Sequence, residues 1–165
     1  MSQSNWIIGL LAAAGLALTG AAAAAPISKD QYKAENARIE AAYKADKDAC
    51  AGKNGNAKDV CIERAKAKEK VAKAENEAAY KDTEKARYDA RIAKAEADYS
   101  VASEKCDDLS GNQKDACVKE AKAAEARAKA DAKATHVSSA TGARQRADDT
   151  AQDKRERTAR SQPTK

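Results

Sequence analysis

The stretch Cys50-AGKNGNAKDV-Cys61 returns as Cys106-DDLSGNQKDA-Cys117, an offset of 56 residues. Each copy has ten residues between its cysteines. Each also places Gly-Asn and then Lys-Asp before the second cysteine: Gly55, Asn56, Lys58 and Asp59, then Gly111, Asn112, Lys114 and Asp115. Glycine and asparagine tolerate left-handed backbone angles that alanine and lysine resist. Both copies therefore read as tight turns between helices, closed by a covalent staple. Of the three connectivities open to four cysteines, pairing Cys50 with Cys61 and Cys106 with Cys117 keeps each unit self-contained and is the one expected. Closing a loop of about 12 residues removes roughly 2–3 kcal/mol of unfolded-state freedom in the chain-entropy view.

Working outward, the same offset aligns residues 28–78 with 84–134 at about 20 identities in 51 positions, including Tyr32 with Tyr88 and Tyr43 with Tyr99. The unit is Tyr-x10-Tyr-x6-Cys-x10-Cys followed by an alanine- and lysine-rich run. Self-similarity at this period marks a repeated supersecondary unit. The fold expected is all-α: elongated antiparallel helical hairpins with three helices, the long middle one shared by both units.

The first helix is expected over 28–49, where Ser28 and Gln31 have capping-box spacing. Residues 57–104 contain no Gly or Pro and are rich in strong helix formers. A continuous middle helix is expected there, with Asn56 as its cap and Asp82-Thr83 the one place where a new cap can form. The third helix is expected over 113–134, with Ser110 and Gln113 or Asn112 and Asp115 available for capping. Tyr32, Ile39 and Tyr43 in the first unit, and Tyr88, Ile92 and Tyr99 in the second, fall at helical spacing. Recurring tyrosines can stack ligands, but at this spacing they read as a packing seam that keeps the hydroxyl in water.

Composition limits the core. Residues 25–165 contain no Trp or Phe, and their apolar content is mostly alanine, which contributes far less on burial than Leu or Ile. Stability must come from helix propensity, narrow seams and the staples. The first 25 residues carry no charged side chain, and Trp6–Ala25 is an apolar run with a small-residue exit. This is the form of a secretory signal peptide over 1–24. An uncleaved inner-membrane anchor through residues 6–25 is the alternative, since about 20 apolar residues also span a bilayer. Export to the periplasm suits four cysteines read as disulfides. From Thr135 onward there are seven Lys/Arg and four Asp/Glu, a net of +3, leaving +2 of the chain's +5 for the helical body. A nucleic-acid partner would call for a stronger basic face. The segment 135–165 shows no hydrophobic period and reads as a disordered basic tail.

No catalytic, cofactor-binding or metal-ligating residue is assigned. Ten residues between cysteines is too wide for the common structural zinc spacing, and no Cys-x-x-Cys redox motif occurs. His136 is the sole histidine and is expected to be solvated where the last helix frays. Asp107-Asp108 has no counterpart in the first turn, where Ala51-Gly52 stands, and reads as a solvated acidic turn rather than a calcium loop.

The runs ERAKAKEKVAKAENEAA (63–79) and VKEAKAAEARAKADAKA (118–134) resemble the alanine/lysine/glutamate helical stalk of TolA-type cell-envelope proteins, over residues 57–134. The chain departs from them in its two cysteine-closed turns and in showing no globular pattern after 134. It also resembles small duplicated exported bacterial proteins. The resemblance implies a role in the cell envelope. The expected function is a non-enzymatic periplasmic structural or adaptor protein, a monomer or weak dimer that meets envelope proteins. The alternatives are a stress-protective hydrophilic protein of the late-embryogenesis-abundant type and a module that touches anionic surfaces through its tail.

Overall fold

The computed structural model describes residues 25–160; the expected signal or anchor segment before Ala25 and the last five residues lie outside the described residues. Within them the chain is all-helical with no strand: α1 (Lys29–Asp48), α2 (Gly55–Lys81), α3 (Glu84–Lys105), one 3-10 turn (Cys106–Asp108) and α4 (Gly111–Arg160). Helix α1 starts where the capping box places it. The Ser28 N–H donates to Gln31 Oε1 at 2.8 Å, and the Gln31 N–H donates to Ser28 Oγ at 3.2 Å.

The first correction concerns the middle helix, which is two helices rather than one. Asp82 takes left-handed angles (φ 46°, ψ 39°), and its N–H donates to the Ala78 carbonyl at 2.9 Å. Thr83 then caps α3, its hydroxyl oxygen accepting from the Ala86 N–H at 3.1 Å. Aspartate is one of the few residues with a side chain that enters this region at modest cost. The break returns α3 along α2 and buries Ala86, Ala90, Ala95 and Ala97, a gain that an unbroken rod forgoes. Among the described residues there are thus four α-helices, not three.

The second correction is the tail. Residues 135–160 continue α4, which at 50 residues is about 75 Å long at 1.5 Å per residue. Helix propagation needs no core once a packed segment has nucleated it. The Thr135, Ser138, Thr141 and Thr150 hydroxyls donate to carbonyls four residues back. From Ala143 to Arg160 every residue is exposed.

Helices pack on their chain neighbours, α1 on α2, α2 on α3 and α3 on α4. Ascending α1, Tyr32 meets Tyr80, Asn36 meets Asn76, and Asp46 meets Lys68, so α1 and α2 run antiparallel. The pairs Tyr88 with His136, Glu96 with Lys129 and Cys106 with Cys117 show the same for α3 and α4. Both cysteine-closed turns consequently lie at one end of the bundle. The α2–α3 turn and the protruding part of α4 lie at the other.

Among the described residues no helix is long and apolar enough to cross a membrane. The buried set is thin: Ile39, Val60, both N-terminal cysteines of the pairs, Asn76 and alanines. Four positions are buried in both halves at the 56-residue offset: Ile39 and Ala95, Cys50 and Cys106, Ala65 and Ala121, Asn76 and Ala132.

Candidate functional site

The features with chemistry are the stapled turns and the polar network along the helix seams. Cys50 bonds Cys61 and Cys106 bonds Cys117, each with a Cα–Cα distance of 5.7 Å, well inside the range a disulfide spans. Cys50 is 1% exposed and Cys106 fully buried, while their partners Cys61 and Cys117 are half-buried. Gly55 (φ +54°) and Gly111 (φ +53°) open the helices that follow. A Cβ at either would meet nothing within 4 Å, so glycine is needed there for its backbone angle and not for space. Asn54, not Asn56, occupies the capping position of α2, and the Asn56 side-chain nitrogen is buried without a hydrogen-bond partner. Starting two residues earlier, at the left-handed Gly55, moves Asn56 inside the helix.

The seam residues divide between two interfaces. Tyr32, Ile39 and Tyr43 lie on α1, with Ile39 buried and both tyrosines half-buried. The Tyr32 ring stacks on Tyr80 with centroids 4.7 Å apart and planes 22° from parallel. Next to it the buried Asn76 amide donates to the Tyr32 carbonyl at 3.0 Å and to Asn36 Oδ1 at 3.1 Å. Tyr88, Ile92 and Tyr99 lie half-buried on α3, and Tyr88 packs on the His136 ring at 5.1 Å. His136 is therefore a half-buried seam residue and not a solvated tail residue, a further correction. The expected seam omitted Tyr80, Asn76 and His136. The signal for two of them was in the sequence, because Tyr80 and His136 are themselves 56 residues apart, just beyond the aligned window.

The ion pairs recur at the same offset. Lys73 Nζ lies 2.7 Å from Glu69 and 3.8 Å from Glu40. Lys129 Nζ lies 2.8 Å from Glu125 and 3.1 Å from Glu96. In each lysine the hydrogen bond to the glutamate four residues back does most to raise the ammonium pKa. Glu96 also accepts from Lys70 at 2.7 Å, so one carboxylate on α3 joins α2 to α4. Hydrogen bonds from Lys70 and then Lys129 hold its carboxyl below the usual carboxylate range. The protruding segment of α4 interleaves Arg144, Arg146, Lys154, Arg155, Arg157 and Arg160 with Asp148, Asp149, Asp153 and Glu156, and Asp153 pairs with Arg157 at 3.1 Å.

Among the described residues no three His, Cys, Asp or Glu side chains gather as a metal site, and the Asp107 side chain pairs with Lys114 at 2.9 Å. No family model matches the chain, and no curated protein or solved structure matches it either.

Proposed function

We propose that the chain is a tandem duplication of one disulfide-stapled helical hairpin, acting as a non-enzymatic structural or adaptor protein of the periplasm. The observation that carries this is the recurrence, at one offset, of staple, ring pair and ion pairs: Cys50–Cys61 with Cys106–Cys117, Tyr32–Tyr80 with Tyr88–His136, and Glu40–Lys73–Glu69 with Glu96–Lys129–Glu125. In both units the conserved spacing serves to hold helices in register. Two disulfides fit an oxidising, exported compartment. The long polar helix beyond Gly142 buries nothing of its own chain, as suits an element that bridges to something else.

The test is site-directed photo-crosslinking in intact producing cells, with probes at exposed positions of α4 between Ala143 and Arg160. The expected result is a discrete adduct with an envelope protein, formed by the oxidised chain in the periplasmic fraction. Recovery of the chain with its cysteines reduced in the cytoplasm, or no adduct from any position, would sink the reading.

A further inference from the structure

An open groove of about 510 Å³ runs between α2 and α3. Its floor is Val71 and Val101 with neighbouring alanines, all half-buried or buried. On α2 the residues Arg64, Lys68, Val71 and Glu75 follow one another at four, three and four residues, the spacing of a stripe along one helix face.

Part of the charge at the rim of this groove is left without a partner. Along α2 and α3 most charged side chains are satisfied inside the chain: Lys66 by Glu63, Lys68 by Asp46, Lys70 by Glu96, Lys73 by Glu69 and Lys94 by Asp98. Arg64, Glu75 and Lys105, which border the groove, have neither an ion pair nor a hydrogen bond among the described residues. Arg64 and Glu75 stand three helical turns apart on one stripe, with opposite charge and Val71 between them.

We propose that this groove is covered by a second copy of the chain, related by a two-fold axis perpendicular to α2 and lying in the contact plane. That operation lays α2 on α2 of the other copy in antiparallel register. Arg64 of each copy then meets Glu75 of the other, and Val71 lies over the aliphatic stem of Lys68. The alternative two-fold, parallel to the helices, sets Arg64 against Lys105 and is disfavoured by like charge. In the favoured arrangement Lys105 meets Lys94, whose charge is already neutralised by Asp98 at 2.7 Å. The contact is isologous and closed, so it ends at a dimer. It does not depend on the adaptor reading above, and the two stand or fall by different measurements.

Equilibrium sedimentation of the oxidised chain as purified from the producing cell tests it. The wild type is expected to be a reversible dimer whose association weakens as salt rises. Arg64→Glu and Glu75→Arg are each expected to weaken association about tenfold, since the contact is made twice and each change also introduces like-charge repulsion. The double variant Arg64→Glu/Glu75→Arg is expected to recover wild-type association, because the pair is merely reversed. Val71→Asp is expected to abolish dimers. The charge variants sit at exposed positions, so they remain decisive if Val71→Asp loses its helical circular dichroism. A wild type that stays monomeric, single reversals without effect, or a double variant no better than either single one would each overturn the proposal.

Discussion

The two stapled units share one spacing and fill it differently. Where the first unit buries Ile39 and Asn76, the second buries Ala95 and Ala132 at the equivalent positions. Where the first stacks Tyr32 on Tyr80 at 22°, the second sets His136 against Tyr88 at a wider 36°. Placement in the bundle explains the direction of the difference. Among the described residues helix α1 packs chiefly on α2, whereas α3 lies between α2 and α4 and is approached from two sides. Its buried positions, Ala86, Ala90, Ala95 and Ala97, are small because backbones on both sides come close. The shared spacing therefore preserves register while each unit adjusts bulk to its neighbours.

The largest test of that contrast removes the staples one at a time. Replacing both cysteines of either pair with serine is expected to lower stability by roughly 2–3 kcal/mol. The consequences should differ in place. Without Cys106–Cys117, hydrogen exchange is expected to accelerate through α4 from Gly111 to His136, because Ala121 and Ala132 are its only buried residues. Without Cys50–Cys61, α1 should stay docked through Ile39 and Asn76. Equal loss of protection in α1 and α4 would show that the units are held alike.

Core volume gives the next effect. Ile39→Ala opens a cavity beneath α1 and is expected to cost about 2–4 kcal/mol in chemical denaturation. The equivalent change in reverse, Ala95→Ile, is expected to cost about 1–3 kcal/mol by overpacking a helix flanked on two faces. If Ala95→Ile is stabilising, α3 has room that its two-sided packing denies. Polar content comes third. Asn76→Ala deletes the donors to the Tyr32 carbonyl and Asn36 and is expected to cost about 1 kcal/mol. Ala132→Asn, which buries an amide where Ile92 stands in place of the Asn36 acceptor, is expected to cost about 1–3 kcal/mol. A neutral Ala132→Asn would mean that the second seam offers polar partners after all.

The stapled turns were legible in the sequence because their signals are local and hard: cysteine spacing, and glycines that take the observed positive φ at no steric cost. The capping box at Ser28 and Gln31 was legible for the same reason. The break at Asp82-Thr83 was only half legible. Thr83 was visible as a cap, but the decision to bend rests on alanines 86 to 97 finding partners across the bundle, and residue-by-residue helix propensity does not register such distant contacts. The tail was misread in the opposite sense. Without a hydrophobic period it looked unable to fold, yet its residues need only continue a helix that Gly111 to His136 has already nucleated. His136 shows the cost of stopping an alignment where composition changes, since its partner relation to Tyr88 copies Tyr80 to Tyr32 at the same offset.

The smallest expected effect separates the two ion networks by pH. In the first unit Glu40 lies 3.8 Å from Lys73; in the second Glu96 accepts from both Lys70 and Lys129 at 2.7 and 3.1 Å. The Glu96 carboxyl is held below the usual range, by those two hydrogen bonds in that order. A carboxyl with a depressed folded-state pKa contributes stability that is present above its unfolded value, near pH 4.3, and is lost as pH falls through the lower folded value. Its side chain is 38% exposed, so solvent screening keeps the contribution below about 1 kcal/mol. Denaturant titrations at neutral pH and near pH 3 should therefore show a smaller acid-induced loss in Glu96→Gln than in the wild type. High salt should shrink the Glu96 difference further. An acid loss that is the same in Glu96→Gln and the wild type would mean that the carboxylate joining α2 to α4 contributes nothing, and that the middle of the bundle is held by its alanines alone.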